Sequence, residues 1–131
     1  MVQLTTQQVK VGAQSTYQDN YSDPLQEQYV FSYRIRITNE GRVPVQLLDR
    51  AWTVISASGE RREVEGKGVV GEQPQIMPGH THEYTSWVQF DTPLGAMKGS
   101  YGMVRHDKRG RPEYFSVEVP RFLHIAPSSL N

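Results

Sequence analysis

The sequence predicts an all-β fold, an antiparallel β-sandwich of about seven to eight short strands. Three observations carry that expectation. Apolar residues alternate with polar ones in short runs, the two-residue period of a half-buried strand. Clusters of Gly, Pro, Asn and Asp break those runs about every 8–12 residues. No segment joins a 3.6-residue apolar period to helix caps.

The clearest strand runs from Tyr29 to Thr38, where Tyr29, Phe31, Tyr33, Ile35 and Ile37 fall on one face. Successive strand side chains point to opposite faces, so this set is the buried one. Asn39-Glu40-Gly41 ends it as a turn. The next strand is expected from Val43. Val43, Val45 and Leu47 hold the odd phase, and Leu48, Trp52 and Val54 the even phase. A phase change without a turn predicts a β-bulge near Leu47-Leu48. Ala57 to Glu60 reads as a hairpin turn into a strand over Arg61 to Glu65.

Val9, Val11 and Ala13 predict a first strand, joined to the second by the polar loop Gln18 to Gln28. Later, Tyr84, Val88 and Phe90 alternate with Glu83, Thr85 and Gln89, and Asp91 to Gly95 forms a turn. Tyr101, Met103 and Val104 mark a further strand, and Asp107 to Pro112 a charged hairpin tip. Phe115, Val117 and Val119 mark the last strand, which Pro120 is expected to close.

The chain has 131 residues, 14 Lys+Arg against 14 Asp+Glu, 4 His and no Cys. That length predicts one domain, residues 1–131, with its core over about 9–127. A balanced charge gives no bulk attraction to nucleic acid, so none is expected as a partner. Without Cys there are no disulfides, thiolate metal sites or cysteine nucleophiles. Met1 to Thr6 has neither a basic region nor an apolar stretch, so no signal peptide is read there. No run approaches the roughly 18 apolar residues of a membrane-spanning helix, so no membrane insertion is expected. The cytoplasm is the expected compartment. With a buried Trp52 and no Cys pair, a fibronectin-III-like sandwich is favoured over a disulfide-bridged immunoglobulin one.

Gly66-Lys67-Gly68-Val69-Val70-Gly71 spells G-x-G-x-x-G. In dinucleotide-binding folds that motif opens a helix, whose amides and dipole hold a pyrophosphate. Glu72-Gln73-Pro74 follows here instead, which removes the helix. Two readings remain: a backbone nest in which Gly66, Lys67, Gly68 and Gly71 hold a phosphate, or a tight loop whose glycines supply positive φ. His80 and His82, at i and i+2 on one strand face, suit two imidazole metal ligands, but a third ligand is not close in sequence. The alternative is a pair of solvent-facing histidines. Trp87 falls in the outward phase, as a partner contact or packed beneath a neighbouring loop. Arg105 to Arg111 is a basic tip without interleaved aromatics, so a solvated turn is the simpler reading. Glu63 and Glu65 share a face but have no burying surroundings, and no catalytic nucleophile signature is present.

Several segments taken in order resemble the ApaG family. They are Val45-Gln46-Leu47-Leu48-x-Arg50-x-Trp52, the stretch Gly66 to Gly79, Tyr84-Thr85-Ser86, the stretch Thr92 to Met103, and Val119-Pro120-x-Phe122. The resemblance runs from about Val9 to Pro127. It implies a fibronectin-III/immunoglobulin-like sandwich, an association with cobalt resistance and magnesium efflux, and a role in protein interaction. It also implies a pyrophosphate site carried onto Gly66, Gly68 and Gly71. Two positions depart from the family pattern. His80-Thr81-His82 stands where acidic residues are usual, and Trp87 where a small residue is usual.

The expected function is therefore a non-enzymatic binding or regulatory domain acting through a protein partner, with no cofactor. The alternative is a small-ligand sensor, taking a pyrophosphate or nucleotide at Gly66 to Gly71 or a divalent cation at His80 and His82. A homodimer through sheet edges stays open.

Overall fold

In the computed structural model, which describes residues 1–127, two antiparallel sheets pack face to face. The strands are β1 (Val2–Thr6), β2 (Val9–Tyr17), β3 (Tyr29–Asn39), β4 (Val45–Ser56), β5 (Arg61–Lys67), β6 (Gln75–Ile76), β7 (Thr81–Phe90), β8 (Leu94–His106) and β9 (Pro112–Ile125). One sheet has the order β1-β2-β3-β7, the other β5-β4-β8-β9, with β6 on β4 beyond the end of β5. Two short 3-10 turns, Asp19–Tyr21 and Pro24–Gln26, lie in the loop before β3. Positions 128–131 of the expected 1–131 domain lie outside the described residues.

The all-β sandwich follows from the alternation that predicts it. Phe31, Tyr33, Ile35 and Ile37 are buried along β3, and Trp52 and Val54 face them from β4. Tyr33, Trp52 and Phe122 meet in edge-on and tilted ring contacts near 6 Å between centroids. The expected bulge is present: the β4–β8 register slips between Leu47 and Asp49. It leaves the Leu48 carbonyl free to accept from the Gly68 amide and from Gln73 Nε2, both at 2.8 Å. The bulge therefore anchors the loop between β5 and β6.

Several boundaries differ from expectation: β5 runs on to Lys67, and β8 starts at Leu94, inside the expected Asp91 to Gly95 turn. Val43 lies outside β4, which starts at Val45. The edge strand β1 has no buried residue, so its pattern carries little signal. Pro120 does not end β9, because the β8–β9 register slips between Met97 and Gly99, setting Pro120 and Arg121 against Lys98 alone. A bulge needs no ladder donor at that position, which is where a strand tolerates proline. Beyond it the inward phase changes from Val117 and Val119 to Phe122 and His124.

Candidate functional site

The glycine motif forms a pinned turn and opens no helix. Gly66 is still in β5, and a Cβ there would meet the Arg50 guanidinium at 2.9 Å. Gly68 has φ +62, and a Cβ on it would stand 2.1 Å from the Glu72 carbonyl oxygen, so only glycine fits. Val69 and Glu72 exchange backbone hydrogen bonds of 2.8 and 3.0 Å across Val70 and Gly71. Those two residues have φ +48 and +78, the signature of a type I′ turn. Asn or Gly is the usual residue at the first of these positions, and a β-branched residue there is strained. Val70 nevertheless occupies it and holds its side chain out in solvent.

The loop's amides are partly committed: Gly68, Val69 and Glu72 donate to backbone carbonyls. Val70 and Gly71 donate to none among the described residues. Arg50 stabilises the loop from below, donating from Nη1 to the Lys67 and Gly68 carbonyls at 3.0 and 2.9 Å. Lys67 is exposed at the end of β5, opposite Asp49.

His80 precedes β7 and is exposed, whereas His82 is half-buried against the ring of Tyr84, 6.4 Å between centroids. No group of three or more His, Asp or Glu residues able to hold a metal ion gathers among the described residues. Trp87 is 51% exposed, and Tyr21 of the first 3-10 turn packs edge-on against it at 5.2 Å. The tryptophan is thus packed on one side by a residue of the loop before β3 and open to solvent on the other. The basic tip is an ordered turn. The Asp107 carboxylate accepts from the Arg109 and Arg111 amides at 2.9 Å and from Arg111 Nε at 3.0 Å. The Arg111 and Arg109 amide hydrogen bonds help hold its pKa below the usual value. Glu63 and Glu65 are exposed on the edge strand β5.

The fold brings the glycine turn and Trp87 to the same place. β7 ends one sheet and β5 ends the other, and a cleft lies between them. Near the turn it has a volume of about 340 Å³, lined by Arg50, Val70, Gly71, Tyr84 and Trp87. It continues through a section of about 300 Å³ beside Arg62, Val64 and Gln89. A third section of about 550 Å³ opens near Glu60, Arg61 and Asp91. Arg62 Nη2 bridges the cleft to the Gln89 carbonyl at 3.1 Å. Tyr33 and Trp52 line both of the first two sections.

Beneath the cleft, the Tyr84 and Tyr101 hydroxyls hydrogen-bond one another and join the two sheets. Burial pushes the pKa values of Tyr33, Tyr84 and Tyr101 above the ordinary tyrosine value, so these hydroxyls stay protonated and are not bases at neutral pH. Sequence reasoning passed over Arg50, Arg62 and these tyrosines as site residues. Arg50 and Tyr84 lie inside the segments that carry the family resemblance, which is the signal that was available.

The chain matches the ApaG domain over residues 19–105. It is 48% identical over 123 residues to Protein ApaG of Nitrosomonas eutropha, covering 94% of each chain. It is 43% identical to Protein ApaG of Anaeromyxobacter dehalogenans over the full length of both. The crystal structure of a putative ApaA protein from Bordetella pertussis superposes with a TM-score of 0.84 at 42% identity, covering 91% of this chain and 94% of that one.

Proposed function

The chain belongs to the ApaG domain family, and from that premise we propose that it is a non-enzymatic, cytoplasmic binding module whose contact surface is the cleft between β5 and β7. The observation that carries this reading is the convergence of Trp87, the strained Val70 and two arginines on one cleft. Backbone strain collects where the chain must present something, and Val70 presents an apolar side chain beside a half-exposed tryptophan. Aromatic and arginine side chains are also the residues that dominate binding energy at protein interfaces. No helix among the described residues is long and apolar enough to cross a membrane. A link to cobalt resistance and magnesium efflux, as the family resemblance implies, then runs through a partner.

The test is retention on a support. The tethered wild-type chain should retain a protein species from a lysate of the cells that make it, and Trp87→Ser should release that species at unchanged thermal stability. Equal retention by the two proteins breaks the reading.

A second reading is a small-ligand sensor at the turn. The Val70 and Gly71 amides, which donate to no carbonyl among the described residues, line the same cleft section as Arg50. It predicts saturable amide shifts confined to residues 66–71 when ATP is added, with Mg²⁺ and Co²⁺ as separate arms. A flat response at millimolar ligand sinks it.

A further inference from the structure

We propose that the cleft takes an extended acidic peptide, which adds as a strand to the free edge of β7 and turns carboxylates toward Arg50 and Arg62. The proposal rests on the binding-module reading and names the chemistry of its partner.

The edge is available. The His80 carbonyl accepts from the Asn39 amide, so the even-numbered residues of β7 direct their backbone groups at β3. Backbone direction alternates along a strand, so Thr81, Glu83, Thr85, Trp87 and Gln89 direct theirs outward. Gln89 confirms the phase, because its carbonyl meets Arg62 across the cleft. Among the described residues nothing is hydrogen-bonded to the backbone of Thr85 or Trp87. Natural edges are commonly blunted by proline, lysine, a bulge or a short length. β7 has ten residues, no Pro, no Lys and no break in its pairing with β3.

The cleft supplies the side-chain chemistry. A strand laid along β7 would send alternate side chains outward and inward. The inward set would enter the two cleft sections that hold Arg50 and Arg62 and no carboxylate. Neither arginine has an ion-pair partner among the described residues. Their surroundings, Trp52, Tyr84 and Trp87, are partly water-excluding, so a charge-assisted hydrogen bond there is worth more than one in open solvent. Glu60 and Asp91 line only the far section, so an acidic stretch is favoured opposite Ser86 to Val88 and opposed beyond Gln89. Arg62 would give up the Gln89 carbonyl to take a carboxylate, and that carbonyl would then accept from the added strand.

The experiment is an amide ¹H–¹⁵N titration of the full chain with a capped eight-residue peptide of alternating Glu and Val, against a matched peptide of Lys and Val. The Glu peptide should shift Glu83, Thr85 and Trp87 in a saturable way and slow exchange of the Thr85 and Trp87 amides. Arg62→Glu should weaken it at least tenfold and let the Lys peptide bind instead. Equal shifts with both peptides overturn the acidic chemistry but leave the module reading standing. Shifts elsewhere, or none at millimolar peptide, overturn strand addition, and the module reading is then decided by the Trp87→Ser retention experiment alone. Concentration-dependent broadening of β7 before any peptide is added, with a dimeric sedimentation value, also overturns the proposal and assigns the edge to a second copy of the chain.

Discussion

Along one side of the sandwich β9 packs across β1 and β2, and along the other β5 and β7 stand apart around a cleft. The closed side is largely satisfied internally, the buried His124 Nε2 being the exception among the described residues. The Glu118 amide donates to Thr6 Oγ1 at 3.3 Å, and Ser15 Oγ and His124 Nδ1 are hydrogen-bonded at 2.7 Å. Arg105 lies over the Phe115 ring at 4.2 Å, pairs with Glu113 at 3.1 Å and donates to the Gln7 carbonyl at 3.2 Å. The open side has the same kind of strands but, among the described residues, unspent amide donors, two guanidinium groups with no carboxylate partner and a half-exposed tryptophan. Strand content is thus no guide to role here. What separates structure from surface is whether backbone and charge have been answered within the chain.

The largest effect should come from truncating a buried aromatic of the closed side, with an exposed aromatic of the open side as its control. Phe122, 5% exposed among Tyr33, Trp52 and His124, should lose about 4 kcal/mol as Phe122→Ala. Trp87→Ala should cost less than about 1 kcal/mol, because half of that side chain is already in water. Urea unfolding of both variants checks the pair, and similar losses would erase the distinction between the two sides.

Acid should act next, through the closed side. His124 is fully buried among Phe31, Phe90 and Phe122, its Nε2 has no hydrogen-bond partner among the described residues, and burial lowers its pKa from 6.5 to about 4. The unfolded imidazole therefore takes up a proton before the folded one does. Stability from this group is complete above pH 6.5, drains as the pH falls toward 4, and changes no further below that. The loss over that window should be about 3 kcal/mol. Denaturation midpoints taken between these limits test it, and a His124 ring resonance that titrates at the ordinary value contradicts it.

The smallest effect belongs to the open side and has the opposite sign. Val70→Asn suits a type I′ turn, so it should stabilise the protein by about 1 kcal/mol and raise Tm by a few degrees. If Val70 serves the cleft, the same change should weaken retention of the partner. A more stable protein with unaltered retention would detach the strain from the contact surface.

Most of the scaffold was legible because it rests on local periodicity. The alternation in Tyr29 to Thr38 defines β3, and the phase change at Leu47-Leu48 marks a real bulge. The same phase change recurs across Pro120, from Val117 and Val119 to Phe122, His124 and Ala126, and reading it would have placed His124 in the core. Pro120 masked it by suggesting a strand end. The cleft was less legible. Trp87 and the glycine turn each have a local signature, but their meeting with Arg50 and Arg62 depends on which strands end the two sheets. That is a property of strand order, which no short window of sequence contains.

The protein's two tryptophans differ sharply in exposure, one at the floor of the cleft and one at its mouth, and that makes the molecule its own optical gauge. Trp52 is 4% exposed and ringed by Tyr33, Tyr101 and Phe122, so its emission should be blue-shifted and closed to iodide until the sandwich opens. Trp87 rests against Tyr21 at the mouth of the cleft, so iodide should quench it in the folded protein and anything seated there should shield it. Folding and occupancy can then be followed in one cuvette, with no label added to the chain.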